Sequence, residues 1–88
     1  MKITKQHQKY IICELYLIID INRVGSDEID FIENILENFE NLKVKELTTT
    51  KLVEVRNQVI DLKNWSDRLG SDENGIINDI VKYIDKLV

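Results

Sequence analysis

The chain has 88 residues, a formal net charge of −4 and one cysteine, with 43% hydrophobic and 32% charged residues. These values predict one globular domain spanning residues 1–88 and exclude a disordered tail, while the acidic balance argues against direct nucleic-acid binding, which needs a concentrated basic face. A lone cysteine excludes an internal disulfide, and no signal peptide is evident, so we expect a cytoplasmic protein.

The apolar spacing predicts four helices at approximately residues 3–23, 27–42, 49–69 and 72–87. In the first helix, ten of the twelve residues from Tyr10 to Ile21 are apolar. One stripe of that helix should face the core: Ile11, Ile12, Leu15, Ile18 and Ile19. Tyr10, Leu17 and Ile21 point roughly the opposite way, either as a surface for a partner or homodimer, or because this helix is the most enclosed one.

The second helix is strongly amphipathic. Its apolar side carries Ile29, Ile32, Ile35, Leu36, Phe39 and Leu42. The opposite side carries an acidic stripe of Asp30, Glu33, Glu37 and Glu40, which is either a solvated face or a receptor for a basic partner.

The third helix should start at the threonines 48–50. Its apolar seam alternates spacings of three and four: Leu52, Val55, Val59, Leu62, Ser66 and Leu69. Trp65 lies off this seam, as a core lid or an interface anchor. The fourth helix packs Ile76, Ile80, Tyr83, Ile84 and Leu87.

A repeated sequence separates the helices of each pair. "RVGSDE" begins at Arg23 and "RLGSDE" at Arg68, an offset of 45 residues. We expect Gly25 and Gly70 to end a helix in the left-handed conformation, and the serine that follows each of them to cap the next helix. The repeat therefore predicts two similar turns rather than a catalytic site.

Short connections favour antiparallel neighbours. The predicted fold is thus all-α, an antiparallel up-down-up-down four-helix bundle, with the offset of 45 indicating two tandem helical hairpins. Both repeated turns then lie at the same end of the bundle, with Arg23 and Arg68 beside four carboxylates.

The chemistry-bearing residues are sparse. His7 has no second histidine or cysteine at metal-ligand spacing and is expected to be solvated. Cys13 is expected to be a buried, inert thiol. No phosphate-binding glycine loop or catalytic triad can be assembled. The sequence therefore predicts a non-enzymatic protein without metal or cofactor.

Three stretches carry a family resemblance. They are "YIICELYLIIDI" near the start, then "KLVEVRNQVIDL", and finally "SDRLGSDENGIINDIVKYI". Together they resemble the immunity proteins of pediocin-like (class IIa) bacteriocins, most closely at "ELYLII", Glu14–Ile19. The resemblance implies a small cytoplasmic four-helix bundle of a low-GC Gram-positive bacterium. It also implies protection of the producer cell at the mannose permease that the bacteriocin attacks.

Two other classes of function stay open. The acidic stripe fits a phage- or plasmid-encoded inhibitor, of the anti-CRISPR or antitoxin type, that captures a nuclease or toxin. The second apolar stripe of helix one fits a homo-oligomeric structural or assembly protein. The partner is a protein in each case, with peripheral membrane contact expected only for the immunity type.

Overall fold

The computed structural model describes residues 2–21 and 25–88. These residues form four α-helices and no strand: α1 (Lys5–Asp20), α2 (Ser26–Phe39), α3 (Thr49–Trp65) and α4 (Ser71–Leu87). A 3₁₀ turn, Val44–Glu46, lies between α2 and α3. The all-helical prediction is confirmed. The third helix is shorter than predicted and ends at Trp65 rather than at residue 69.

Each helix packs against two others in a closed cycle: α1 against α2, α2 against α3, α3 against α4, and α4 against α1. This cycle is compatible with a four-helix bundle. The core takes most of the predicted stripe of each helix, and further predicted members are partly buried against it: Ile12, Ile19, Leu42, Leu69, Tyr83 and Leu87. Its largest fully buried side chains include Ile11, Leu15, Ile18, Ile32, Ile35, Phe39, Leu52, Leu62, Ile77, Ile80 and Ile84. Each such side chain stabilises the fold by about 1.5–3 kcal/mol relative to exposure.

The start of α1 is held by a capping box. The backbone N–H of His7 donates to Thr4 Oγ1 at 3.4 Å, and the backbone N–H of Thr4 donates to His7 Nδ1 at 3.0 Å. His7 is half-buried, and its ring lies edge-on to Tyr83 at 6.1 Å between centroids. The expected solvated histidine is thus partly exposed, with one side of its ring against Tyr83. Its Nδ1 lone pair satisfies a backbone donor that α1 would otherwise leave unpaired.

Gln8 joins α1 to the far end of the next helix. It is 3% exposed, and its Nε2 donates to the backbone carbonyls of Phe39 at 3.1 Å and Leu42 at 3.0 Å. These carbonyls belong to the last residue of α2 and to the chain just after it, where the helix has no further N–H groups to donate to them. The Phe39 carbonyl also accepts from the Leu42 N–H at 3.2 Å. Gln8 is therefore buried on the apolar side of α1 because its amide group donates hydrogen bonds to carbonyls at the end of α2.

The repeated turns do not use left-handed glycines. Among residues 2–21 and 25–88 no glycine has a positive φ. Gly25 (φ −73°, ψ 173°) and Gly70 (φ −80°, ψ −179°) are extended, and each is itself the N-cap of the following helix. The predictions of left-handed glycines and of serine caps are both wrong, since Ser26 and Ser71 are the first helical residues.

At each of these N-caps the glutamate three residues on folds back over the glycine. Glu28 and Glu73 are 2% and 8% exposed. A Cβ on Gly25 would overlap Arg68 Nη1 and lie 3.2 Å from Glu28 Oε1, and one on Gly70 would lie 2.9 Å from Glu73 Oε1. Each repeat is therefore a Gly-x-x-Glu form of the helix cap, in which the carboxylate lies beside the glycine, and at Gly25 the Arg68 guanidinium takes the space of the missing side chain.

The end of α3 departs from the predicted seam. Leu52, Val55, Val59 and Leu62 are buried as predicted. Ser66 is instead the C-cap, with an extended backbone, and Leu69 lies beyond the helix. The Ser66 hydroxyl donates to Glu28 Oε2 at 2.7 Å, so this serine serves the start of α2.

We expect Gln8→Ala to lower the free energy of unfolding by about 2–3 kcal/mol, because two carbonyls at the end of α2 lose a buried donor. Urea denaturation measures the change. Gln6→Ala, at an exposed site in the same helix, is the control and should stay within about 0.5 kcal/mol of the parent. Equal effects of the two substitutions would contradict the capping role.

The glycines provide a second, opposed pair of variants. Gly75 lies exposed within α4, and a Cβ there would meet nothing within 4 Å, so Gly75→Ala should stabilise by about 0.5–1 kcal/mol. Gly70→Ala should destabilise, because alanine is a poorer N-cap residue than glycine and its Cβ would also shift the Glu73 carboxylate. Chemical denaturation of both variants decides the matter, and a Gly70→Ala protein as stable as Gly75→Ala would refute the Gly-x-x-Glu cap.

Candidate functional site

The exposed large apolar side chains of the described residues are concentrated on α1. They are Tyr10, Tyr16, Leu17, Ile21, Val44, Trp65 and Val88. The first four lie on α1 or at its C-cap, and they are 37–43% exposed. Lys9, Cys13 and Asp20 are exposed between them. We call these seven residues, Lys9, Tyr10, Cys13, Tyr16, Leu17, Asp20 and Ile21, the α1 outer face.

Cys13 lies at the centre of the α1 outer face and is exposed, so the prediction of a buried thiol is wrong. The reason is helical geometry. Cys13 follows the fully buried Ile11 by two positions, which is about 200° around the helix. The exposure of Cys13 was not predicted because it lies in a near-continuous apolar run, whose members were expected to be buried in the core.

One edge of the α1 outer face meets α4. The ring of Tyr10 stacks on that of Tyr83, with centroids 4.0 Å apart and an angle of 26°. Partial burial, followed by the nearby charges of Glu14 and Asp79, raises the pKa of the Tyr10 phenol. Burial and the charge of Asp79 likewise raise the pKa of Glu14. This edge therefore combines aromatic packing with a carboxyl group, Glu14, whose charged form is disfavoured.

The other edge of the α1 outer face borders α2. Tyr16 Oη donates to Glu40 Oε2 at 3.1 Å, and this hydrogen bond is the main cause that raises the Tyr16 pKa. A shallow groove of about 150 Å³ lies here, lined by Tyr16, Glu33, Leu36, Glu37 and Glu40. Three members of the predicted acidic stripe thus border one groove. Asp30 is exposed but does not line it.

Trp65 is the last residue of α3 and is 47% exposed. Its ring meets Phe31 of α2 edge-on, with centroids 5.6 Å apart and an angle of 64°. Trp65 therefore packs on the half-buried Phe31 at the surface, between α3 and α2, and is part of neither the core nor the α1 outer face.

The repeated turns meet around Glu28. Besides its bond from Ser66, Glu28 has Arg68 Nη1 at 3.9 Å from Oε1. The hydrogen bond from Ser66 is the largest of the influences that lower the Glu28 pKa, and Arg68 adds to it. The two turns therefore lie together, as predicted. Arg23, the other predicted member of this charged end, is outside the described residues.

Among residues 2–21 and 25–88 no three His, Cys, Asp or Glu side chains come together to hold a metal ion. In the same residues no helix combines the length and apolar character needed to cross a bilayer. Comparison with models of known families, with curated proteins and with solved structures finds no match for this chain.

The charged form of Glu14 at the α1–α4 edge lowers the stability of the folded protein at neutral pH. Because the Glu14 pKa is raised in the folded state, the folded protein binds that proton more tightly than the unfolded chain does. The contribution of this proton to the free energy of unfolding is fully present below the ordinary glutamate pKa of 4.5, and it is lost as pH rises through the pKa of Glu14 in the folded protein. We expect Glu14→Gln to raise the melting temperature at pH 7 by a few degrees and to change it little near pH 3. Calorimetry at both pH values tests this, and a pH-independent difference would contradict the assignment.

Proposed function

We propose that the protein is a non-enzymatic protein-binding module whose docking surface is the α1 outer face. The observation that carries the proposal is the concentration of exposed apolar side chains on one helix. Scattered apolar residues are ordinary on a protein surface, whereas a contiguous group of them is typical of an interaction site. Tyr10 and Tyr16 supply exposed tyrosines, a residue type enriched among those that dominate binding energy, and Leu17 adds apolar area beside them.

Within that class, we propose an immunity-type protein that protects its producer against a pediocin-like bacteriocin. The segment that most resembles the family, Glu14–Ile19, includes Tyr16 and Leu17 of the α1 outer face. The partner would be the membrane permease or its bacteriocin complex, met from the cytoplasmic side with peripheral membrane contact. Protection would come from binding through the residues of α1, and the proposal requires no cofactor.

We also propose that the helices run alternately up and down, as two tandem hairpins. Contacts between helix ends support this topology. Gln8, early in α1, bonds to the end of α2, and Glu28, early in α2, bonds to Ser66 after α3. Two contacts join α3 to α4 in opposite order along the chain: Arg56 to Asp85 at 2.8 Å, and Lys63 to Asn78 at 2.9 Å.

The immunity proposal is tested by expressing the chain in a bacteriocin-sensitive strain and measuring killing by a panel of class IIa peptides. We expect survival with the parent and a loss of protection of tenfold or more with Leu17→Glu, which places a charge in an apolar interface. Val44→Glu is the matched control, because Val44 is similarly exposed (38% against 41% for Leu17) but lies outside the α1 outer face. Killing that the parent does not change for any peptide would overturn the proposal.

A second candidate function rests on the acidic groove. Glu33, Glu37 and Glu40 are exposed on its wall and give it one sign of charge. A protein with a basic site, such as a nuclease or toxin, would be steered there, as expected for a phage- or plasmid-encoded inhibitor.

Charge reversal separates this candidate from the first. Glu33→Lys with Glu37→Lys should abolish capture of a basic nuclease or toxin from a host lysate, and capture by the parent should weaken with salt. Glu54→Lys, at an exposed position in α3, is the control. Capture that survives the double reversal, or that salt does not affect, would contradict the inhibitor function.

A further inference from the structure

A seam along the α2 side of the α1 outer face is self-complementary. Lys9, Cys13, Tyr16 and Asp20 are all exposed and follow each other at spacings of four, three and four. Such spacing is that of a helix-pairing seam. The order of the residues matters, because a cation stands at one end, an anion at the other, and two uncharged residues between them.

We propose that the α1 outer face binds a second copy of this chain, with the two α1 helices antiparallel about a twofold axis. If the axis passes between residues 14 and 15, residue i of one copy lies at the same height as residue 29 − i of the second copy. Lys9 then faces Asp20 of the second copy, and Cys13 faces Tyr16. Because the interface is isologous, both contacts occur twice.

The charges select this arrangement over the alternatives. A parallel pair of helices would place Lys9 beside its own copy and Asp20 beside its own copy, both repulsive. The antiparallel pair replaces these with two attractions, a difference that sets orientation more than affinity. An apolar partner helix of another protein would leave the seam charges of Lys9 and Asp20 without defined partners.

The flanks of the seam add apolar area to the antiparallel pair. Tyr10, Leu17 and Ile21 lie on one flank of α1, and the twofold axis brings this flank of each copy to the same side of the interface. The flanks therefore merge into one apolar strip. Pairing through a single helix buries less than the roughly 800 Å² per partner of a standard interface, so the dimer should be weak and concentration-dependent.

The inference rests on the proposed function in one respect, namely that the α1 outer face is a docking surface. It adds that the face is covered by a second copy when no other partner is bound. A partner that uses the same face would compete with the dimer, and its binding would release monomers.

Sedimentation equilibrium over a range of concentrations tests the seam. Lys9→Glu faces Asp20 of the second copy with a like charge and should weaken dimerisation by about tenfold or more. Adding Asp20→Lys to that variant restores opposite charges and should restore the dimer. Lys82→Glu, an exposed change of the same charge on α4, is the control.

Each outcome of that experiment decides something. A dimer that Lys9→Glu weakens and the double variant recovers supports the proposal. A parent that stays monomeric at the highest concentration, or a double variant no better than Lys9→Glu, overturns it. Circular dichroism confirms that the variants are folded.

The single cysteine provides an independent geometric test. In the antiparallel pair the two Cys13 Cα atoms lie about 6–7 Å apart, given 1.5 Å of rise per residue and helices about 9–10 Å apart. A short bismaleimide should link the parent into a dimer and should link the Lys9→Glu variant much less. Equal linking of the two proteins would contradict the seam.

The two proposals can fail separately. Loss of protection in Leu17→Glu with a strictly monomeric parent retains the docking surface but rejects the second copy as its occupant. A charge-reversible dimer that protects against no bacteriocin retains the self-pairing and rejects the immunity function.

Discussion

One core cannot cover a helix that is apolar nearly all round. Each of the four helices gives one stripe to the shared interior, and for α2, α3 and α4 the opposite side is largely polar. In α1 the core takes Ile11, Leu15 and Ile18, and Ile12 and Ile19 are partly buried against it. The exposed apolar residues of the run are Tyr10, Tyr16, Leu17 and Ile21. This surplus is the constraint on which the account of function depends, because each exposed apolar residue gives up the stabilisation that burial would provide.

The polar residues that are buried serve the helix ends. Gln8 satisfies carbonyls at the end of α2, and Glu28 takes a hydrogen bond from Ser66 beside the repeated turn. Buried polar groups cost stability unless they are paired, so their positions restrict how the four helices can be assembled. The repeated Arg-x-Gly-Ser-Asp-Glu is therefore a structural device that starts a helix, and the surface available for binding lies elsewhere.

The helices themselves were predictable because their apolar residues follow the helical period. Ile32, Ile35 and Phe39 are buried where the periodicity of the second helix places them. The turns were not, since a Gly-Ser pair fits both a left-handed stop and an N-cap, and only the glutamate three residues later distinguishes them. Ser66 likewise looked like a gap in a seam, because its partner Glu28 is 38 residues away in the chain.

The site was harder to predict than the fold. Tyr10, Leu17 and Ile21 were recognised as a second stripe, and they are exposed. Cys13 and Tyr16 were missed, although their positions between Lys9 and Asp20 complete a seam that is visible in the spacing. Whether a surplus apolar residue is enclosed depends on the number of neighbouring helices, and sequence periodicity contains no information about that number.

The central claim is that a second copy of this chain covers the α1 outer face when no other partner is bound, and a concentration series of amide NMR spectra tests it most directly. The account predicts that raising the protein concentration shifts the resonances of Lys9, Cys13, Tyr16 and Asp20, while those of the exposed residues of α3 stay unchanged. Spectra that do not depend on concentration, or shifts confined to α2 or α3, would contradict it.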